Sequence, residues 1–312
     1  MKKRKQHYVW EHYLTAWATN GQVWCLHDGR RFCTSTENVA QERDFYRLKE
    51  MSDADLAFVR QLVMQQVDPQ MREMALGWIA PFQEVFELRR WYEGSGRKVP
   101  AFEVELDIAI NNLEEDLHGK IETAAIPFLA RLRTACLDLA DDATFVDFAW
   151  FLGAQYMRTP RIMKRCVGAV DEMKGVNADA VWGLLRTIFA SNIGFAIYAR
   201  RHMLRATFLD AEPSKEFITG DQPIVNIRAQ DGVSPPEEFE LFYPVSPRVA
   251  VLLAFDGTVR SINRQQLGTG DTAAYNELIV RHSSKQIYAA SEESLVEVIG
   301  AAGDSPATSS RL

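Results

Sequence analysis

Gln22-Val23-Trp24-Cys25-Leu26-His27-Asp28-Gly29-Arg30-Arg31-Phe32-Cys33-Thr34-Ser35-Thr36 reads as two short strands meeting at Asp28-Gly29. An Asp-Gly pair between two such runs marks a tight hairpin, because the favoured two-residue turn needs positive φ at both central residues. A two-stranded hairpin alone is marginal in water. It needs further strands, and the next convincing ones begin far along the chain at Phe217. The simplest solution is an α+β fold. The N-terminal hairpin and the C-terminal strands build a mixed or antiparallel sheet, and a large all-helical middle block is inserted into it or covers it.

The strands expected after the block are Phe217-Ile218-Thr219, Pro223–Ile227, Glu240–Tyr243 and Val249–Phe255. Asp256-Gly257 reads as a second hairpin turn into Thr258–Ile262, followed by a helix over 271–284 and a last strand over Gln286–Ala289. Before the hairpin, Arg4–Trp17 carries two histidines, two tyrosines and two tryptophans. That aromatic density predicts a docked segment rather than a frayed terminus. Glu37–Tyr46 reads as a polar loop, and Ser52 with Asp55 as the capping box of the first long helix. From about 53 to 207 the spacing is helical. Tyr92–Pro100 forms the clearest break, and later helices fall over roughly 101–139, 143–158, 160–174 and 178–206. The expectation is one domain over 1–300, with segments 1–50, 51–207 and 216–300, and a disordered tail over 301–312.

Composition is that of an ordinary globular protein, 47% hydrophobic and 25% charged. A net charge of −7 argues against general electrostatic binding to nucleic acid, and Lys2–Lys5 is a short basic arm. Cys25, Cys33, Cys136 and Cys166 lack a CxxC or zinc spacing and read as reduced thiols. Met1 is followed by charge and aromatics rather than by a signal's apolar region, so a cytoplasmic location is expected. Asp179, Arg186 and Asn192 interrupt the most apolar window, Ala178–Ala199, which reads as a buried core helix rather than a membrane span.

Polar residues on apolar faces supply the candidate site. Gln155 and Arg158 continue the Phe148, Phe151 and Leu152 stripe, and Pro160 stops the helix just beyond. An inward guanidinium needs either a structural acid or a ligand anion. Asp221, between Gly220 and Gln222-Pro223, either closes a turn or presents an acid to Arg158 or to a histidine. Asn276 points inward from the last helix, as a packing specifier or a ligand contact. His7 and His12 are five apart and lack an HExxH pattern; a metal would need Glu42, Asp44 or Asp221 as well, and none is expected. No Rossmann, Walker or GxSxG motif is present, so no cofactor is implied. Glu114-Glu115-Asp116 with Glu122 reads as the solvated face of a long helix.

Taken in order, these islands resemble a family of uncharacterised proteins, DUF4238. The resemblance rests on His7-Tyr8-Val9, Tyr13-Leu14 and Trp17, then Asn38-Val39-Ala40 and Asp44-Phe45-Tyr46. It continues through Gln155, Arg158-Thr159-Pro160, Thr219, Asp221 and Pro223, then Pro244, Ser246-Pro247 and Asn276. Trp10 departs from the proline usual there. The resemblance implies a shared architecture over nearly the whole chain and no reaction. From the residues, the leading expectation is a hydrolase of nuclease or phosphodiesterase type acting on a small phosphate-containing ligand or nucleic acid. His7, Arg158 and Asp221 would be catalytic, and Tyr8, Gln155 and Asn276 would bind the ligand. The alternatives are a non-catalytic nucleotide- or protein-binding module and a purely structural polar network.

Overall fold

The computed structural model describes residues 1–137, 142–173, 175–229 and 239–303. The chain opens with β1 (Lys5–His7), α1 (Glu11–Leu14) and a 3-10 turn at Thr15–Trp17. The hairpin follows as β2 (Gln22–His27) and β3 (Arg30–Ser35), then a 3-10 turn at Thr36–Asn38 and β4 (Gln41–Arg43). Seven helices come next: α2 (Asp53–Met64), α3 (Pro69–Gly77), α4 (Ile79–Gly94), α5 (Pro100–Arg133), α6 (Asp142–Met157), α7 (Pro160–Asp171) and α8 (Ala178–Ala199). The remainder is β5 (Arg205–Asp210), β6 (Thr219–Gly220), β7 (Val225–Asn226), β8 (Glu240–Pro244), β9 (Val249–Ala254), β10 (Ser261–Gln266), α9 (Asp271–His282), β11 (Gln286–Ala289) and α10 (Glu292–Gly303). The fold is α+β, as the hairpin argument requires.

The chain divides into two compact units, both assembled from separated segments. The first comprises Met1–Tyr8, Gln41–Phe128 and the described part of 139–200. It holds β1 paired antiparallel with β4, and the helices α2 to α8 apart from the last turn of α5. The capping box at the start of α2 is present, with Asp55 N–H on Ser52 Oγ at 3.2 Å and Ser52 N–H on Asp55 Oδ2 at 2.9 Å. Asp55 Oδ1 also accepts the Asn177 N–H at 2.7 Å, tying the start of α2 to the start of α8. Helices α6 and α8 approach closely through Gly153 and Gly194. A Cβ at Gly153 would collide with the Ala190 carbonyl, so only glycine permits this crossing. By length and composition α8 could span a membrane, but 67% of its most apolar window is buried, as in a core helix.

The second unit comprises Val9–Ala40, the described part of 129–138, and residues from Arg201 onward. Asp28 and Gly29 both take positive φ (50° and 74°) and turn the chain from β2 to β3. On the other side of β2 lies β11, antiparallel, followed by β6, giving the order β3-β2-β11-β6. A five-stranded sheet, β10-β5-β9-β8-β7, holds the remaining strands. Phe217, Ile218, Phe242, Ile279, Ile287 and Leu295 form part of one core cluster drawing on both sheets.

Several boundaries differ from the expectations. Helix α8 ends at Ala199 rather than 206, and Arg205–Asp210 is instead a central strand with Ala206 and Phe208 buried. The segment 37–46 contains a 3-10 turn and a strand as well as loop. Asp256-Gly257 does not make a hairpin: β9 already has β5 and β8 on its two edges, so β10 joins the outside of β5 in parallel. Helix α7 stops at Asp171 and α5 at Arg133, after which Ala135 takes a left-handed φ of 53°. Helix α10 extends through 301–303, the first residues of the expected tail; residues 304–312 and Asp141 lie outside the described residues.

Candidate ligand-binding cleft

Four of the six candidate residues belong to the first unit. Tyr8, buried just after β1, tilts its ring against Phe45 at 5.5 Å, and its carbonyl accepts the Gln155 side-chain amide at 3.4 Å. Gln155 Oε1 in turn accepts Arg158 Nη2 at 2.7 Å. Arg158 is 2% exposed, and its Nη1 donates to Glu122 Oε1 at 2.6 Å. The acid that Arg158 meets is therefore Glu122, on α5. His7 ends β1, and its carbonyl accepts the Tyr46 hydroxyl at 3.0 Å.

The other two belong to the second unit and serve backbone. Asp221 Oδ1 accepts Ser284 N–H at 2.6 Å, and Oδ2 accepts Lys285 and Gln286 N–H at 2.6 and 3.0 Å. Burial raises its pKa, and these three donors only partly offset that. Asn276 accepts the Ile218 N–H at 3.0 Å and donates to the Glu216 carbonyl at 2.8 Å, pinning the segment before β6. Among the described residues no three His, Cys, Asp or Glu side chains are grouped as a metal site needs.

The α5 acids overturn one expectation. Glu114 is 1% exposed, and its Oε1 receives Arg186 Nε at 2.6 Å; it is no part of a solvated face. Asn111, Glu114, His118 and Glu122 recur at i, i+3 or i+4, forming a polar stripe. Arg158, the residue just after α6, and Arg186 on α8 answer that stripe. Burial disfavours the Glu114 carboxylate, but the Arg186 charge and His118 outweigh it, so its pKa lies below normal. His118 sits with Nε2 3.6 Å from Glu114 Oε1 and its ring 4.7 Å from that of Tyr46. Burial, with the nearby Arg158 and Arg186 charges, pushes its pKa down to about 4, so it is neutral at pH 7. Burial pushes Glu115 up to about 7 despite the Arg158 charge, and the Glu122 charge adds to the rise.

Arg186 faces three aromatic rings. Its Cζ lies 4.6 Å from the ring centroid of Tyr46, 5.5 Å from Phe45 and 5.7 Å from Trp182. Beside this group opens a cleft of about 390 Å³, lined by the 42–51 segment and by residues of α4, α5, α7 and α8. Three residues lining it keep a buried nitrogen without an acceptor among the described residues: Arg47 Nη1, Trp182 Nε1 and Arg186 Nη1. Two keep a buried carboxylate oxygen without a donor, Asp44 Oδ1 and Glu114 Oε2. Buried polar groups are rarely left unmatched, and such concentrations mark ligand or water sites. Nearer solvent, the exposed Lys49 pairs with Asp179 at 2.7 Å.

Sequence reasoning missed Glu114, His118, Trp182 and Arg186. The i,i+4 spacing of Glu114, His118 and Glu122, and an arginine inside an apolar helix, were the available signals.

An α+β chain with a polar, aromatic-walled cleft in its first unit is thus defined. Residues 5–181 and 185–293 match the family model described as "Protein of unknown function (DUF4238)", and the chain belongs to that family. No curated protein and no solved structure matches it.

Proposed function

We propose that the protein is a nucleotide-binding module, with its ligand in the cleft lined by Asp44–Lys49 and Trp182–Arg186. The observation that carries this is the set of unmatched buried N–H groups on Arg47, Trp182 and Arg186 beside aromatic rings. Planar bases stack on aromatic and guanidinium faces, and their edges supply the acceptors these donors lack. Lys49 and Arg43 line the exposed part and suit a phosphate, because an exposed ion pair such as Lys49–Asp179 costs little to exchange. Binding is preferred to hydrolysis by His7, Arg158 and Asp221 because Arg158 is committed to Glu122 and Gln155, and Asp221 to three backbone N–H groups.

A phosphate-ester hydrolase is the second reading; it is ranked below binding because Glu115, the α5 acid that burial raises to about 7 and so suits to acid–base work, is not among the residues lining the cleft. Melting the full chain with a panel of nucleoside mono- and triphosphates, alongside phosphate release, separates the two. Binding without turnover at a ligand excess of about a hundredfold over Kd adds about 2.7 kcal/mol of stability. Stabilisation with no released phosphate is the expected result. Sustained phosphate release by the parent would establish the hydrolase, and a melting temperature unmoved by every nucleotide would remove both readings.

A further inference from the structure

Donors alone do not describe the cleft, because two carboxylate oxygens also go unmatched there. Glu114 gives Oε1 to Arg186, while its buried Oε2 meets no donor among the described residues. The space beside that oxygen is kept open by Gly183: a Cβ there would lie 3.1 Å from Glu114 Oε2, 3.6 Å from Leu48 and 3.7 Å from Phe82. Asp44 follows β4 in a left-handed conformation, φ 56°, which aspartate tolerates better than most side chains. Its Oδ1 is buried without a donor among the described residues, and its other oxygen is 3.7 Å from Arg43 Nε.

A simple anion would satisfy Arg47, Trp182 and Arg186 but would face two carboxylates. A simple cation would meet the opposite conflict. A neutral ring with N–H donors on one edge and acceptors on another suits both sets. Adenine offers an amino group flanked by ring-nitrogen acceptors, and its Watson–Crick edge would turn a lone pair towards a carboxylate. Guanine presents two adjacent donors, N1–H and the 2-amino group, which a carboxylate accepts. Its O6 and N7 are acceptors well matched to arginine.

We infer that the cleft selects guanine over adenine, with Asp44 and Glu114 accepting the N1–H and 2-amino protons and Arg47, Trp182 and Arg186 donating to O6 and N7. This rests on the nucleotide reading of the same cleft. Asp44 and Gly183 are then specificity-determining: the first supplies an acceptor, and the second leaves room for the ring edge against Glu114.

The test is calorimetric titration of the full chain with guanosine and adenosine monophosphates, in the parent, Asp44→Asn and Gly183→Ala. In the parent the guanosine nucleotide should bind at least about tenfold more tightly, the size of one well-made base contact. Asp44→Asn should narrow that ratio by weakening the guanosine nucleotide alone, since a neutral amide oxygen accepts more weakly than a carboxylate and an amino group replaces the second acceptor oxygen. Gly183→Ala should weaken the guanosine nucleotide more than the adenosine nucleotide. Equal binding of both by the parent would overturn the guanine inference and leave the cleft reading standing. Discrimination that survives both substitutions would overturn the assignment to these residues. Failure of both nucleotides to bind would overturn both readings.

Discussion

Arg158 carries the sharpest expectation for a single side chain. Its guanidinium is almost wholly buried between Glu122 and Gln155. Replacing one member of a buried ion pair strands the other, at a cost of about 3–5 kcal/mol where the stranded charge is fully buried, and less here because the Glu122 side chain is 20% exposed. Arg158→Met should therefore melt several degrees below the parent, while a melting temperature at or above that of the parent would show that Glu122 does not depend on it. The inward direction of Gln155, Arg158 and Asn276 was legible in the sequence, because each interrupts an apolar stripe at helical spacing, and all three are buried. What they meet was not legible. Arg158 could have faced a ligand as easily as Glu122, and Asp221 turned out to hold the backbone of 284–286, a stretch that no local rule connects to it.

Helix α5 shows why an element's environment is harder to read than its existence. Glu114-Glu115-Asp116 has the texture of a solvated face, and Asp116, exposed beside Lys3, is one. Glu114 is buried and Glu122 partly buried because Arg186 on α8 and Arg158 just after α6 meet them, which the local sequence cannot announce. Strand β5 was missed for a related reason: no Gly or Pro separates Arg205–Asp210 from α8, and only its sheet partners β9 and β10 make it a strand. The Asp28-Gly29 hairpin, by contrast, was readable because its chemistry is local.

Helix α5 predicts two opposite pH trends. Glu115 binds its proton more tightly folded than unfolded, so its contribution to stability declines as pH rises from about 4.5 through about 7. Glu115→Gln should raise the melting temperature relative to the parent by an amount that grows from pH 5 to pH 8. His118 has a depressed folded pKa, so its contribution is present above about 6.5 and is lost as pH falls through about 4. His118→Gln should flatten that acid-side loss. A melting temperature that runs parallel to the parent's across pH 4–8 in either variant would contradict the burial assigned to that side chain on α5.

For the whole chain, family membership spans both compact units and names no activity, so function has to be argued from the cleft. Of the seven tryptophans, Trp182 is the one lining it. The most direct measurement is a tryptophan-fluorescence titration of the full chain with guanosine monophosphate, parent beside Trp182→Phe. Occupation of the cleft predicts saturable quenching in the parent and loss of most of that signal in Trp182→Phe. Quenching of equal amplitude in the variant would place the nucleotide elsewhere, and an unchanged parent spectrum at millimolar nucleotide would contradict the cleft as a nucleotide site.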